Sequence, residues 1–313
     1  MATEGVSSRK IREMRAKIMD EISYALGFGR QGLRRLLIRP IVWLPASRFA
    51  WIAARFDHHV PTEGLPGGSR QLLSDLMVRV VARGEENIPI DGPLLVVSNH
   101  PGAYDSVSIA SRIPRPDLKI VVTDVPFLRA VPNTDKQFIY VPAEIDGRMA
   151  ALRKAIQYLQ EGGSVLIFAH GEVEPDPGFM QGAWEAIGEW SSSVEVMLRK
   201  VPDTWLQVVI ASDVLFENFV KNPITHLQKT TSKRQKLAEF LQVGQQLVFP
   251  SSLHNEVHIS FANPVRGADL GSRNLMPKVI EIAREQLKEH MSIFHNSSVP
   301  GYRIPTETTP IPG

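Results

Sequence analysis

Cysteine is absent from the 313 residues. That excludes disulfides, thiolate-held zinc, iron–sulfur clusters and thiol nucleophiles, and it suits a reducing compartment. Any nucleophile or base must therefore be Ser, Thr, His, Asp, Glu, Lys or Tyr. Long apolar runs are missing as well. The best candidate, Ile38 to Phe56, is broken by Pro45, Ser47 and Arg48, and a spanning helix needs roughly 18 to 20 such residues. Glu4, Arg9 and Lys10 open the chain without a compact apolar core and small-residue cleavage site behind them, so no secretory leader is expected and a cytoplasmic location is. Glycine and proline, 22 and 23 residues, are near average, which argues against collagen-like or low-complexity chains.

Charge is scarce in net but unevenly placed. Residues 1–56 hold eleven Lys and Arg against four acids, a local charge of +7, and the remainder carries −5. A basic arm ahead of an acidic body seeks nucleic-acid phosphates or anionic lipid; the acidic body and the lack of a reading motif weigh against nucleic acid. Ile11, Met14, Ile18, Ile22 and Ala25 recur at helical spacing among basic residues, which predicts an amphipathic helix ended by Gly27 and Gly29. A second basic helix, Gln31 to Arg39, should stop at Pro40, and a third should run from Ser47 to Phe56. Trp43, Phe49 and Trp51 among arginines suit a bilayer interface, so residues 9–56 are a candidate surface for an anionic membrane. The same stripes equally suit packing on the body.

His58 to Gly68, rich in proline and glycine, reads as a linker. The expected organisation is thus a basic helical arm and linker over 1–67, an α/β domain over 68–295, and a flexible proline-rich tail over 296–313. Within the domain, strands are expected at Val78–Ala82, Leu94–Ser98, Leu118–Val122, Phe138–Val141, Ser164–Phe168, Gln207–Ala211 and Val257–Phe261. Helices are expected at Arg148–Gln160, Met180–Trp190, Ser232–Val243 and Arg273–Met291. Apolar strands alternating with helices predict an α/β fold: a mixed, mostly parallel sheet flanked by helices.

The segment most informative for chemistry is Leu94 to Asp105, LLVVSNHPGAYD. An apolar run delivers Asn99 and His100 to a strand's C-terminal end, where ligand sites of open α/β sheets lie, and Pro101-Gly102 turns the chain. Asp105 can then reach back to His100 Nδ1 and leave Nε2 free as a base. Alternatively, Asp105 only caps the following helix. His100, Asp105, His170 and Glu172 could also be imagined as ligands of a metal-dependent hydrolase, but no H-E-x-x-H or H-x-H spacing supports that, and no metal is expected.

Residues Val80 to Asp105 resemble the first block of the glycerophospholipid (PlsC-like) acyltransferase family, N-H-x4-D after a Gly-x-Glu-Asn-hydrophobic-Pro stretch. The matching positions are Gly84, Glu86, Asn87, Ile88, Pro89, Gly92, Pro93, Asn99, His100 and Asp105. Weaker likeness continues to Val214. The resemblance implies transfer of a fatty acyl group from an acyl-CoA or acyl-carrier-protein thioester to the hydroxyl of a glycerol-phosphate, lysophospholipid or related lipid acceptor. His100 would be general base and Asp105 its orienter, without a further cofactor, in a protein peripherally associated with the membrane. Two blocks depart from the family pattern. Phe168-Ala169-His170-Gly171-Glu172-Val173 stands where F-P-E-G-T-R is usual, and the cation expected after the Phe138 strand is found only at Arg148. Asn99, Arg148, His170, Gly171 and Glu172 are the corresponding candidates for holding substrate. A divergent relative acting only as a membrane-surface binding module is the alternative.

Overall fold

The computed structural model describes residues 8–25, 33–125, 127–142, 144–228, 230–271 and 273–295. The proposed tail, 296–313, lies outside them. Eight strands form one sheet: β1 (Val78–Arg83), β2 (Leu94–Ser98), β3 (Leu118–Thr123), β4 (Phe138–Val141), β5 (Ser164–Phe168), β6 (Trp205–Ser212), β7 (Asn255–Phe261) and β8 (Val265–Arg266). Their order is β1-β7-β6-β2-β5-β3-β4, with β8 on β6. β7 and β8 pair with β6 antiparallel and the other neighbours are parallel, which is the expected mixed, mostly parallel sheet.

Helices α1 (Ser8–Ala25), α2 (Leu33–Asp75), α3 (Asp105–Arg112), α4 (Pro132–Asp135), α5 (Ile145–Gln160), α6 (Ala183–Gly188), α7 (Ser193–Lys200), α8 (Glu217–Val220), α9 (Thr231–Val248) and α10 (Leu275–His295) complete the chain. Successive side chains of a strand point to opposite faces, so a run such as Leu94-Leu95-Val96-Val97 is stable only if both faces are covered. Leu94 and Val96 pack in one core with residues of α2 and α3. Leu95 and Val97 pack in a second with residues of α5, α6, α7 and α10. Gly84 sits at φ 78°, and a Cβ there would lie 2.4 Å from the Phe261 carbonyl oxygen; only glycine lets the turn after β1 close onto β7.

The N-terminal region departs from expectation in two ways. First, α2 does not stop at Pro40; it runs on with Pro40, Pro45, Pro61 and Pro66 inside it. Second, the supposed linker His58–Gly68 is helical. The only non-helical residue within α2 is Gly64, at φ 66°, where a Cβ would come within 2.8 Å of Pro116. Of the two readings of the α1 stripe, packing holds where its side chains are described: Met14 and Ile18 are buried against Val42, Ala46 and Ala50 of α2. The side chains of Ile22 and Ala25 lie outside the described set. Phe49 meets Phe127 at 5.1 Å between ring centroids, and Trp51 packs on the core beneath the Arg55 guanidinium. The buried Asp57 carboxylate accepts the Asn133 and Thr134 N–H groups of α4, each at 2.9 Å, binding α2 to the body. Among the described residues, no helix is long and apolar enough to cross a membrane.

Candidate active site

Connections leaving β2 and β5 place the site. After β2 the chain passes to α3, whose Ile109 and Ala110, with Ile113 just past its end, belong to one core. After β5 it passes to α6 and α7, whose Ile187, Val194 and Met197 belong to the other. β2 and β5 are neighbours and their connections leave toward opposite faces, the kind of switch point where open α/β sheets form a ligand crevice. At this switch point stand His100, two residues past β2, and Phe168, the last of β5. Their rings stack at 4.4 Å with a 27° tilt.

Asp105 does reach back. His100 Nδ1 lies 2.7 Å from Asp105 Oδ2, and the same oxygen accepts the Gly102 N–H at 3.0 Å. Asp105 is wholly buried, whereas the His100 side chain keeps 29% exposure. A buried carboxylate costs several kcal/mol unless its lone pairs are filled; here the imidazole and the turn's N–H fill them. With Nδ1 carrying the proton toward Asp105, Nε2 remains the imidazole's acceptor.

The turn itself is clamped from outside the motif. Glu174 accepts the His100 N–H at 2.7 Å and the Trp190 indole N–H at 3.0 Å, and its own N–H donates to the His100 carbonyl at 2.8 Å. From the other side comes α9, whose Gln235, Glu239, Gln242 and Gln246 lie at spacings that share one helical face. Gln235 Nε2 donates to the Glu174 carbonyl at 2.7 Å, Gln242 holds Val214 and Phe216, and Gln246 takes the Tyr104 hydroxyl. Glu239 lies against Gly102 and accepts from the Ala103 N–H.

These contacts set the electrostatics. Burial alone would push the His100 pKa down, but the charge and hydrogen bond of Asp105, with Glu239 and Glu174 behind them, outweigh it and raise the value to about 9. Glu239 is itself raised to about 7, first by burial and then by the nearby Asp105 charge. Burial likewise lifts Glu174 above the usual carboxylate range.

The remaining sequence candidates are placed less centrally. Asn99 is buried and its amide is committed to the β6 backbone, Nδ2 to the Ala211 carbonyl and Oδ1 to the Ala211 N–H, both at 2.9 Å. It joins strands. Arg148 is exposed on α5. Glu172 is 63% exposed and pairs with Lys236 at 3.0 Å, and Gly171 is an exposed turn residue at φ 81°. His170, past the end of β5, lies 3.5 Å from Glu189. Another cation at this end of the sheet, Arg129, is held by Asp124 at 3.1 Å and stacks on Tyr140. The set His100, Asp105, His170 and Glu172 does not gather for a metal. Among the described residues, the cluster with metal-binding spacing is Asp213, His258 and His295.

Glu239 and the α9 stripe carry no sequence motif. The signal for α9 was present as polar side chains at 235, 239, 242 and 246, but a polar helical face reads by itself as solvated.

Comparison with known proteins gives three findings. Residues 79–188 match the family model described as Acyltransferase, a stretch that runs from β1 through α6 and contains His100, Asp105 and Glu174. No curated protein matches the chain in sequence. Among solved structures the chain is similar to the 1-acyl-sn-glycerophosphate (LPA) acyltransferase PlsC from Thermotoga maritima, at 16% identity over 90% of this chain and 97% of that one, with a TM-score of 0.45.

Proposed function

We propose that this chain, whose residues 79–188 match the Acyltransferase family model, moves a fatty acyl group from an acyl-CoA or acyl-carrier-protein thioester to the hydroxyl of a glycerol-phosphate, lysophospholipid or related lipid acceptor. The carrying observation is the 2.7 Å contact between His100 Nδ1 and the wholly buried Asp105 at the β2–β5 switch point. His100 Nε2 takes the acceptor's hydroxyl proton as that oxygen attacks the thioester carbonyl. The C–O bond forms, the C–S bond breaks, and the departing sulfur receives the proton from the imidazolium. Asp105 fixes the tautomer and stabilises the positive charge while the proton is held. Positioned proton removal supplies about 10²- to 10⁴-fold, and holding thioester and hydroxyl together supplies much of the rest.

The reading extends to the membrane. With Met14 and Ile18 of α1 buried on α2, the outward-facing large apolar groups among the described side chains of the N-terminal helices are Trp43 and Leu44, each about half exposed. Arg15 stands 5.3 Å from the Trp43 ring, and Arg12, Arg15 and Trp43 line a shallow cleft of about 260 Å³. Aromatic and aliphatic side chains ringed by guanidinium groups suit the headgroup boundary of an anionic bilayer, which would bring the lipid acceptor to a peripherally bound enzyme.

The test is thiol release from acyl-CoA in the presence of detergent-dispersed lysolipid. Native protein should release thiol with stoichiometric acyl-lipid product, and His100→Ala should lose at least a hundredfold in rate while keeping a folded chain with a cooperative, if lowered, melting transition. An unchanged rate in that variant rejects the assignment.

A further inference from the structure

We propose that Asp213, His258 and His295 form a binding site for a divalent ion of the zinc class, which ties the end of β6 to β7 and to the C-terminal end of α10. The site is separate from His100 and does not depend on the acyl-transfer reading. Asp213 Oδ2 lies 2.7 Å from His258 Nδ1 and 3.0 Å from His295 Nε2, and one ligand atom from each residue falls within 4.8 Å of the others. The side chains are 29%, 19% and 14% exposed, sheltered yet within reach of an ion and a water.

The donor set decides the class of ion. Two imidazole nitrogens and one carboxylate oxygen suit zinc and its neighbours, whereas magnesium and calcium prefer oxygen alone. Ligand atoms around a tetrahedral zinc with bonds of about 2.0–2.1 Å stand about 3.3 Å apart, so the two contacts to Asp213, at 2.7 and 3.0 Å, need to open by only about half an ångström.

An ordinary ion pair would need one histidine; here two converge on a single carboxylate oxygen, and each ligand is itself oriented. His258 Nε2 lies 3.2 Å from Glu256 Oε1, the carboxylate–histidine arrangement that steers metal-bound imidazoles, and its ring stacks on Phe294 at 4.6 Å. The Asp213 N–H is held by Asp176 at 2.9 Å. Ser212 Oγ, 2.7 Å from Asp213 Oδ2 and 3.2 Å from His295 Nε2, borders the fourth position. An ion here would brace the end of β6, whose Ala211 pairs with Asn99 beside His100.

The experiment uses the full chain without an affinity tag, stripped with chelator and then titrated with Zn²⁺ and Co²⁺. One ion per chain should bind. Cobalt should develop the visible ligand-field bands of a nitrogen- and oxygen-coordinated site, and zinc should raise the melting midpoint by several degrees at about a hundredfold excess over Kd, reversibly with chelator. His258→Gln and His295→Gln should each weaken zinc binding by more than about 100-fold, and Glu256→Gln by about 10- to 100-fold. His58→Gln, an exposed histidine on α2, and His100→Ala should leave binding unchanged, the latter separating this site from the catalytic one. Substoichiometric zinc in the native protein, a cobalt spectrum no different from the aqueous ion, or native affinity in the His258 and His295 variants would overturn the proposal. Where a histidine variant fails to fold, the cobalt spectrum of the native chain decides.

Discussion

Replacing Glu239 with glutamine should move the acid limb of the pH–rate profile toward neutrality and raise the rate at pH 7. His100 can accept a proton only when its imidazole is neutral, and its pKa of about 9 stands 2.5 units above the ordinary 6.5, a preference for imidazolium of about 3 kcal/mol. At pH 7 only about one molecule in a hundred then carries the neutral base. In the native enzyme kcat/KM should climb about tenfold per pH unit below that pKa and level off near pH 9. After the His100–Asp105 pair itself, Glu239 is the next group holding the imidazole charged, and with its own pKa near 7 it is ionised over most of that climb. Glutamine keeps an acceptor for the Ala103 N–H but removes the charge. A nearby charge shifts a pKa by on the order of one unit, so the limb should fall by about that much and the rate at pH 7 should rise about tenfold. The assay is thiol release at low substrate from about pH 6 to 10, with a lysolipid whose headgroup does not titrate in that range. A native limb at or below 6.5, or one that stays in place in Glu239→Gln, would refute the argument.

Further outcomes follow from the same contacts. Asp105→Asn should cut kcat/KM at least a hundredfold with little change in KM, because the amide can donate to Nδ1 and turn the tautomer the wrong way. Glu174→Gln leaves one of the His100 and Trp190 N–H groups without its acceptor and should cost about 1–3 kcal/mol in denaturant unfolding. The raised His100 pKa means that the folded chain holds a proton the unfolded chain has released. That contribution is complete below about pH 6.5 and lost as pH rises through about 9, so the melting midpoint should fall across this window, and fall less in Asp105→Asn. Trp43→Ala with Leu44→Ala should weaken cosedimentation with anionic vesicles, and Arg12→Glu with Arg15→Glu should also flatten its salt dependence; native binding in both would remove the membrane surface from this face.

The residues that could be read from the sequence are those whose partners are close in the chain. LLVV suits a strand covered on both faces, and the turn at Pro101-Gly102 brings Asp105 to His100 across five positions, so their contact follows from local chain geometry, whereas their roles as base and orienter rest on the family resemblance. Once partners are remote, the same reasoning loses its grip. Pro40 read as a stop because a proline removes one helical donor, yet α2 continues through it, with Val42, Ala46 and Ala50 buried against Met14 and Ile18: burial of a whole helical face outweighs one missing bond. His58–Gly68 read as open chain from its prolines and glycines, but Leu65, Gly67 and Gly68 are buried, and a Cβ at Gly68 would press on Phe56 and Val60 at 2.9 Å. Those glycines serve close packing, which composition alone does not distinguish from flexibility. Asp213 and His258, 45 residues apart, share no motif and meet only because β6 and β7 pair. The His100–Asp105 contact is thus written in twelve consecutive residues, whereas the proton affinity of His100 is also raised by Glu239, 139 positions beyond it on a helix whose polar face looks solvated until α9 is laid against the turn. Recognising a base from its motif leaves its proton affinity undetermined, because that affinity is a property of the assembled fold.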